Sequence, residues 1–341
     1  MNATRYLLGR LLFSLVTLVG VSMLIFAIAR IIPGDPARIA LGPSATADQV
    51  TELSARLGLD QPWSVQYVHY VRGLLHGDLG DSLYTNAAVA RDLAATFPAT
   101  LELVLVSTLL MVAVGLPLGV LAARNRDGAG DNAARLVALL GVVTPSFVWA
   151  VLFMLVFSDR LGWLPIAGRL SENLTPPPAI TRLYLVDALL AGDGRVFLDA
   201  LEHIALPAIS LALAGIGQAA RLTRANVVET YGRPFIEMAR AYGLPERRIT
   251  LHYALRPALT PVLTVLGLDI AAKLGSAFLV ESVFGWPGMA RYGVQTILHK
   301  DLNGIIGTVL VIAAFFLLIN LAVDMILALL DPRIRLGVHS R

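Results

Sequence analysis

Residues 237–263 read EMARAYGLPERRITLHYALRPALTPVL, and the fold turns on how this stretch is understood. From Arg221 to Arg256 the neighbourhood holds seven arginines, yet it lies between two apolar stretches. Val227 to Tyr242 forms a helical run interrupted at Gly232 and Pro234. Gly243 permits a left-handed turn. Pro245 suits the first turn of a second helix, which runs through Arg248 and Leu251 towards Leu255. The pattern predicts two short helices meeting near Gly243. A solvated basic loop needs no such construction. A docking element does: a short surface helix with an apolar stripe, set to lie in a groove of a partner.

The surroundings of this stretch are oily. Of 341 residues 56% are hydrophobic and 15% charged, and the mean hydropathy is +0.71. Soluble domains average about 25% charged residues. The deficit marks a polytopic membrane protein. There is no cysteine, so neither a disulfide framework nor a thiolate metal site exists. The net charge of +3 comes almost entirely from arginine, since Lys273 and Lys300 are the only lysines. Confinement of that charge to short segments fits membrane topology and lipid contact rather than nucleic-acid binding.

A helix crosses the hydrocarbon core with about 20 apolar residues. Six runs qualify: Leu11–Ala29, Leu103–Ala123, Leu136–Ser158, His203–Ala220, Pro257–Val280 and Leu302–Val323, the last continuing to Leu330. The first has a signal-peptide look, with Arg5 and Arg10 before it and Ala27-Ile28-Ala29 at its end. Its apolar core exceeds the usual ~7–15 residues, so it is read as an uncleaved helix. Arginine and lysine set the orientation. Segments 1–10, 124–135, 221–256 and 331–341 carry 2, 3, 7 and 3 of them. The alternate, longer segments 30–102, 159–202 and 281–301 carry 5, 4 and 2, diluted by acids such as Asp35, Asp48, Glu52 and Asp60. The density predicts an N-in, C-in protein whose arginine-rich stretch faces the cytoplasm.

The outer segments are not linkers. Residues 37–99 contain helix-like stretches, Ala47–Leu57 and Trp63–Leu75, punctuated by Gly and Pro, and predict a small folded cap. Residues 159–202 hold Thr175-Pro176-Pro177-Pro178, which excludes helix interior, and a Gly192-Asp193-Gly194 turn. Asn173-Leu174-Thr175 fits a glycosylation sequon, a pattern short enough to arise by chance.

Several chemistries are missing. A P-loop needs Gly-Lys followed by Ser or Thr, but Ala272 precedes Lys273 and His299 precedes Lys300. The chain has no Walker A motif, and no catalytic residue is assigned. The six histidines lack ligand spacing; His69 and His76 read as surface residues, not a metal site. Gly215-Ile216-Gly217 lacks the third glycine and preceding strand of a dinucleotide site, and in a span such glycines serve close helix packing. Asp269 and Lys273, spaced i, i+4 within a span, can meet on one helix face. Two readings stay open for them: a pair lining the translocation path, or a mutually neutralised pair that locks helices together.

Glu237-Met238-Ala239, three residues and then Gly243 resembles the E-A-A-x-x-x-G motif of ABC importer permeases, the loop that couples such a permease to its ATPase. Met238 replaces the central alanine. The usual I-x-L-P beyond the glycine is altered: Tyr253, Leu255 and Arg256 take its places and the proline comes one position late, at Pro257. Ile31-Ile32-Pro33-Gly34-Asp35-Pro36, Leu57-Gly58-Leu59-Asp60-Gln61-Pro62, Gly77-Asp78-Leu79-Gly80, Thr100-Leu101-Glu102-Leu103, Glu281-Ser282-Val283-Phe284 and Asp331-Pro332-Arg333-Ile334-Arg335 follow in order. Together these segments are similar to the dipeptide/oligopeptide/nickel branch, and most to the B-type permease subunit of dipeptide importers.

The resemblance implies an all-α membrane protein with the type I ABC importer permease fold, in the bacterial cytoplasmic membrane. It implies a domain plan of 1–30 as first helix, 31–99 as outer region, 100–330 as permease core with coupling loop 221–256, and 331–341 as tail. A second, homologous permease, two P-loop ATPases and an extracytoplasmic binding protein are the implied partners. ATP and Mg would be bound by those ATPases, with no cofactor in this chain. Glu237, Ala239 and Gly243 would shape the coupling turn, Arg240 and Arg247 would add polar contacts to the ATPase, and Leu255 and Pro257 would close the motif. The expected cargo is dipeptides or short peptides, with nickel chelate, glutathione or haem as alternatives. An ion-coupled secondary transporter using Asp269 and Lys273, or a membrane scaffold, are the rivals of a different class.

Overall fold

A computed structural model describes residues 3–31, 36–41, 45–56 and 58–330. Residues 32–35 of the Ile31–Pro36 motif, Leu57 and the tail 331–341 lie outside them. Among the described residues the chain is helical without a strand; Asp81 and Ala88 form one isolated antiparallel bridge. The chain divides into two compact units, Pro98–Pro287 with the segment from Phe316, and Leu8–Phe97 with Gly288–Phe315.

The larger unit is built on long helices, the first of them belonging to it from Pro98 on and the last from Phe316 on. α5 (Val89–Arg124) carries Pro98 and Pro117 within it, a tolerance usual for membrane helices. α9 (Gly194–Tyr231) begins where the Asp193 carboxylate accepts from the backbone N–H groups of Arg195 and Val196. α12 (Leu255–Val283) and α14 (Leu302–Leu330) follow later in the chain. Small residues let these rods approach. A Cβ on Gly119 would lie 2.6 Å from the Ala220 carbonyl oxygen, and one on Gly217 would lie 2.5 Å from that of Ala138. Close packing, the expected duty of the Gly215-Ile216-Gly217 string, is what Gly217 performs.

Among the described residues, four helical runs are long and apolar enough to cross a membrane: Val89–Arg124, Gly194–Tyr231, Glu246–Val283 and Leu302–Ile326. Leu12–Ile28, within α1 (Ala3–Ile31), forms a shorter apolar helical stretch. The uncharged run Leu136–Ser158, expected as one span, is not one helix. α6 (Ala129–Val143) stops, Thr144 turns extended at φ −89° and ψ 124°, and α7 (Ser146–Phe153) starts after Pro145 before widening into a π-helical turn, Met154–Arg160. The residue before a proline is driven out of the helical region, and apolarity alone does not reveal that. The fourth run, His203–Ala220, is only the middle of α9.

Two quoted motifs meet in this unit. The Thr100 hydroxyl donates to Glu281 at 2.6 Å, and the indole N–H of Trp286 donates to the Ala99 carbonyl at 3.0 Å. Next to them Glu102, almost fully buried, accepts from Arg169 at 2.5 Å and from the Leu185 amide at 2.7 Å. Arg169 also stacks 3.7 Å from the centre of the Tyr184 ring. A guanidinium held by both a carboxylate and a ring is a stable way to bury one charge.

The smaller unit contains α1 from Leu8 on, α2 (Pro36–Leu41), α3 (Ala47–Arg56) and α4 (Trp63–Leu75); the last two fall on the stretches Ala47–Leu57 and Trp63–Leu75 read as helix-like, and α2 has no counterpart among them. Phe26 packs edge-on against Tyr67 at 5.3 Å, and Ser22 hydrogen-bonds the Tyr67 hydroxyl at 2.9 Å. Val89, Leu93, Met289 and Tyr292 form its apolar core. Buried Asp301 accepts from the Ser82 hydroxyl at 2.5 Å and from the Gly304 amide at 3.1 Å. Gly80 stands at φ +77°, its amide held by the Asp78 carboxylate at 2.8 Å, which accounts for the Gly77–Gly80 motif as a turn.

Candidate functional site: the arginine-rich turn and the buried ion pair

α9 ends at Tyr231, and Pro234 opens the eight-residue helix α10 (Pro234–Ala241), where its missing N–H is no loss. One face of α10 is anchored. Ile236 and Ala239 enter an apolar cluster with Ala123, Val227, Ile249, Ala254 and Ala258. The other face is open: Phe235, Glu237, Met238 and Tyr242 are exposed, Tyr242 to 79%.

Gly243 then reverses the chain at φ +72°. Its amide donates to the Arg240 carbonyl at 2.9 Å, and the Leu244 amide reaches back to the Ala239 carbonyl at 3.2 Å. This is the Schellman arrangement, which needs a residue at ease with positive φ. Leu244 tucks against the same apolar cluster. Across the turn Arg240 donates to Glu246 at 2.7 Å, and that hydrogen bond holds the Glu246 carboxyl below its ordinary range. The Tyr231 and Thr250 hydroxyls pair at 2.7 Å.

The second helix is not short. α11 (Glu246–Arg248) passes through a π-helical turn, Ile249–Ala254, straight into α12, so the chain is helical from Glu246 to Val283. Pro257 follows directly on that π-helical turn and so stands inside the continuous helical run, not at its start. Among the candidate residues, Ala239 is buried, Leu255 packs against the apolar cluster, and Glu237, Arg247 and Pro257 are exposed. Arg240 is engaged with Glu246 inside the turn.

Asp269 and Lys273 form their expected ion pair. Lys273 is 3% exposed and its Nζ lies 3.6 Å from the Met111 sulfur. Gly215 of α9 makes room for them: a Cβ there would lie 2.7 Å from the ammonium and 2.8 Å from the carboxylate. The pair also borders a cavity of about 350 Å³, together with Thr144, Pro145, Ser146 and Ser276. It therefore both packs between helices and faces open space.

Sequence reasoning missed a third cluster. Arg224 grips Asp131 with two hydrogen bonds, 2.6 and 2.7 Å. Arg135 adds a contact to the same carboxylate at 2.7 Å and reaches Asp127 at 3.2 Å. Asp131 is fully buried. The hydrogen bonds from Arg224, then those from the Asp127 amide and Arg135, hold its carboxyl well below the usual range despite burial. A signal existed: Asp131 is an acid inside a segment otherwise counted for its positive charge.

The fold is similar to that of the inward-facing MetNI methionine ABC transporter, with a TM-score of 0.52 at 17% identity, over 70% of this chain and 96% of that one. The chain belongs to the family of binding-protein-dependent transport system inner membrane components, whose profile matches residues 115–336; the profile of that family's N-terminal region matches residues 3–104. It is 43% identical over 318 residues to the "Probable D,D-dipeptide transport system permease protein DdpB" of Escherichia coli K12, covering 93% of this chain and 94% of that one. To the dipeptide transport system permease protein DppB of the same organism it is 36% identical over 334 residues, 97% and 98% of the two chains. It is a multi-pass inner-membrane transport component, not an enzyme, and it works with a separate ATPase and a substrate-binding protein. The secondary-transporter and scaffold readings fall away.

Proposed function

We propose that this permease forms half of the translocation path for dipeptides or short peptides, beside a second, homologous permease. Two P-loop ATPases bind below and carry the ATP and Mg; an extracytoplasmic binding protein delivers cargo above. The orientation read from arginine density, N-in and C-in with six crossings, puts the α2–α4 region outside and the turn at Gly243 inside. The broken α6–α7 segment then serves as one crossing. Dipeptide cargo rests on the names of the two Escherichia coli relatives.

The observation that carries the mechanism is the two-sided character of α10. Its buried face shares one apolar cluster with residues of α9 and α12, and its open face presents Phe235, Glu237, Met238 and Tyr242. A body fixed to two spans and exposed on its other side transmits motion from a partner to both spans at once. Glu237, Ala239, Gly243, Leu255 and Pro257 shape that lever. Arg240 closes the turn on Glu246, and Arg247 is free to contact the ATPase. ATP binding draws the ATPases together, the two levers move, and the permease pair switches from inward-open to outward-open. Asp269 and Lys273 border the path.

Purification of the complex in mild detergent, with mass spectrometry of its stoichiometric members, tests the assembly: a second permease and Walker A proteins are expected. Gly243→Trp tests the lever. It should abolish ATP-driven peptide uptake while the protein stays in the membrane, and undiminished uptake would refute the docking role.

A further inference from the structure

We infer that a cavity formed by the end of α5 and the turn after it, residues 135–142 of α6, and the last part of α9 binds the phosphate headgroup of an anionic phospholipid. The cavity measures about 590 Å³ and is lined by four arginines, Arg126, Arg135, Arg221 and Arg224. Asp127, also in the lining, and Asp131 behind it offset two of the four charges, leaving a net of two positive charges. Arg135 and Arg224 are committed to Asp131. Arg126 holds only Asp127, at 3.4 Å, with both side chains mostly exposed. Arg221 is exposed and has no hydrogen bond or ion pair among the described residues. Two guanidinium groups are thus available at the mouth of a cavity already electropositive, and guanidinium matches phosphate oxygens in a bidentate manner.

The rest of the lining is aliphatic and includes Leu139, Val142 and Val228. That combination argues for a lipid rather than a small soluble anion. Arg126 follows the apolar run of α5, Arg135 precedes Leu136, and Arg221 ends the uncharged run His203–Ala220. All three line the one cavity, and on the orientation proposed above they stand at the cytoplasmic membrane surface. From there Leu139 and Val142, 58% and 43% exposed, lead along α6 into the depth of the bilayer, the path an acyl chain takes. Basic pockets between membrane helices recognise anionic headgroups in this way. A free phosphate would use the arginines and leave the aliphatic wall unexplained.

The test uses the purified, delipidated importer complex, titrated in native mass spectrometry with phosphatidylglycerol, phosphatidylcholine or inorganic phosphate. Wild type should retain phosphatidylglycerol at concentrations where phosphatidylcholine has dissociated. Arg126→Gln/Arg221→Gln should weaken phosphatidylglycerol roughly 30-fold, each arginine near the surface being worth about fivefold. Neither side chain braces the fold, so the melting temperature of this variant should match wild type. A distant pair of the same charge change, Arg160→Gln/Arg195→Gln, should leave binding intact. Equal retention of the two lipids, an unaffected Arg126→Gln/Arg221→Gln variant, or equal loss in the distant pair would overturn the site. Displacement of phosphatidylglycerol by inorganic phosphate that itself binds as tightly would assign the arginines to free phosphate and overturn the lipid.

Discussion

Asp131 of α6 and Arg224 of α9 lie 93 positions apart and meet through two hydrogen bonds, 2.6 and 2.7 Å, with the carboxylate fully buried. The contact is short because α6 and α9 already touch at Gly217. It fixes the polar ends of two apolar segments against each other, with Arg135 supplying a second cation. A carboxylate so held is an anion in the folded state over an unusually wide acidic range.

The pH dependence follows from that. The Asp131 carboxyl is depressed in the folded protein, so its contribution is fully present above the unfolded value of about 3.9 and fades as pH falls towards the folded one. The melting temperature of the detergent-solubilised protein should therefore carry an Asp131-dependent drop below about pH 4. Asp131→Asn should melt several degrees lower than wild type at neutral pH, and the difference should shrink on acidification. A gap constant from pH 7 to pH 3 would refute the assignment.

At Gly243 the requirement is conformational, not spatial. Nothing lies within 4 Å of a Cβ built there, but φ is +72°. Gly243→Asn, which tolerates the left-handed region, should keep most ATP-driven uptake. Gly243→Val, whose β-branched side chain does not, should destabilise the turn by about 1–2 kcal/mol and reduce uptake sharply. Vesicle uptake assays on the two variants separate strain from bulk.

Glycines elsewhere should divide by what they face. At Gly217 a Cβ would press on the Ala138 backbone, which cannot step aside; at Gly275 nothing lies within 4 Å. Gly217→Ala should destabilise the protein by about 1–3 kcal/mol through overpacking, and Gly275→Ala should be close to neutral. Thermal melts in detergent measure both.

Lys273→Met leaves Asp269 without its cation and should cost about 3 kcal/mol of stability. Adding Asp269→Asn should recover most of the melting temperature, because no lone charge is left. Uptake by the double variant then reports on transport separately from folding. Continued loss of uptake in a refolded double variant is expected if the pair borders the path, whereas full recovery would reduce it to a brace.

Much of this architecture is legible in the residues. Apolar run length marks the cores of α5, α9, α12 and α14, and Gly243 with Pro245 marks the turn, because helix breakers and left-handed positions are local properties. The broken run at Thr144–Pro145 was hidden by apolarity, which does not register a proline's effect on its neighbour. The seamless passage from α11 into α12 was hidden by Pro245 and Pro257, which read as punctuation. Within the candidate site, the i, i+4 spacing of Asp269 and Lys273 is visible in sequence; their packing against Met111 and Gly215 is not. The Asp131–Arg224 and Glu102–Arg169 pairs were invisible for the same reason, since partners 93 and 67 positions apart are chosen by tertiary packing.

The Schellman turn has a further consequence. The seating of α10 on its apolar cluster is set by Gly243, Leu244 and the buried Ile236 and Ala239, while the surface offered outward is spelled by Phe235, Met238 and Tyr242. Geometry and vocabulary are thus written in separate residues. If α10 is the lever proposed above, a lineage could rewrite the outward letters to suit a different motor protein without altering its throw, and an engineer could graft one permease's outward face onto another on the same terms.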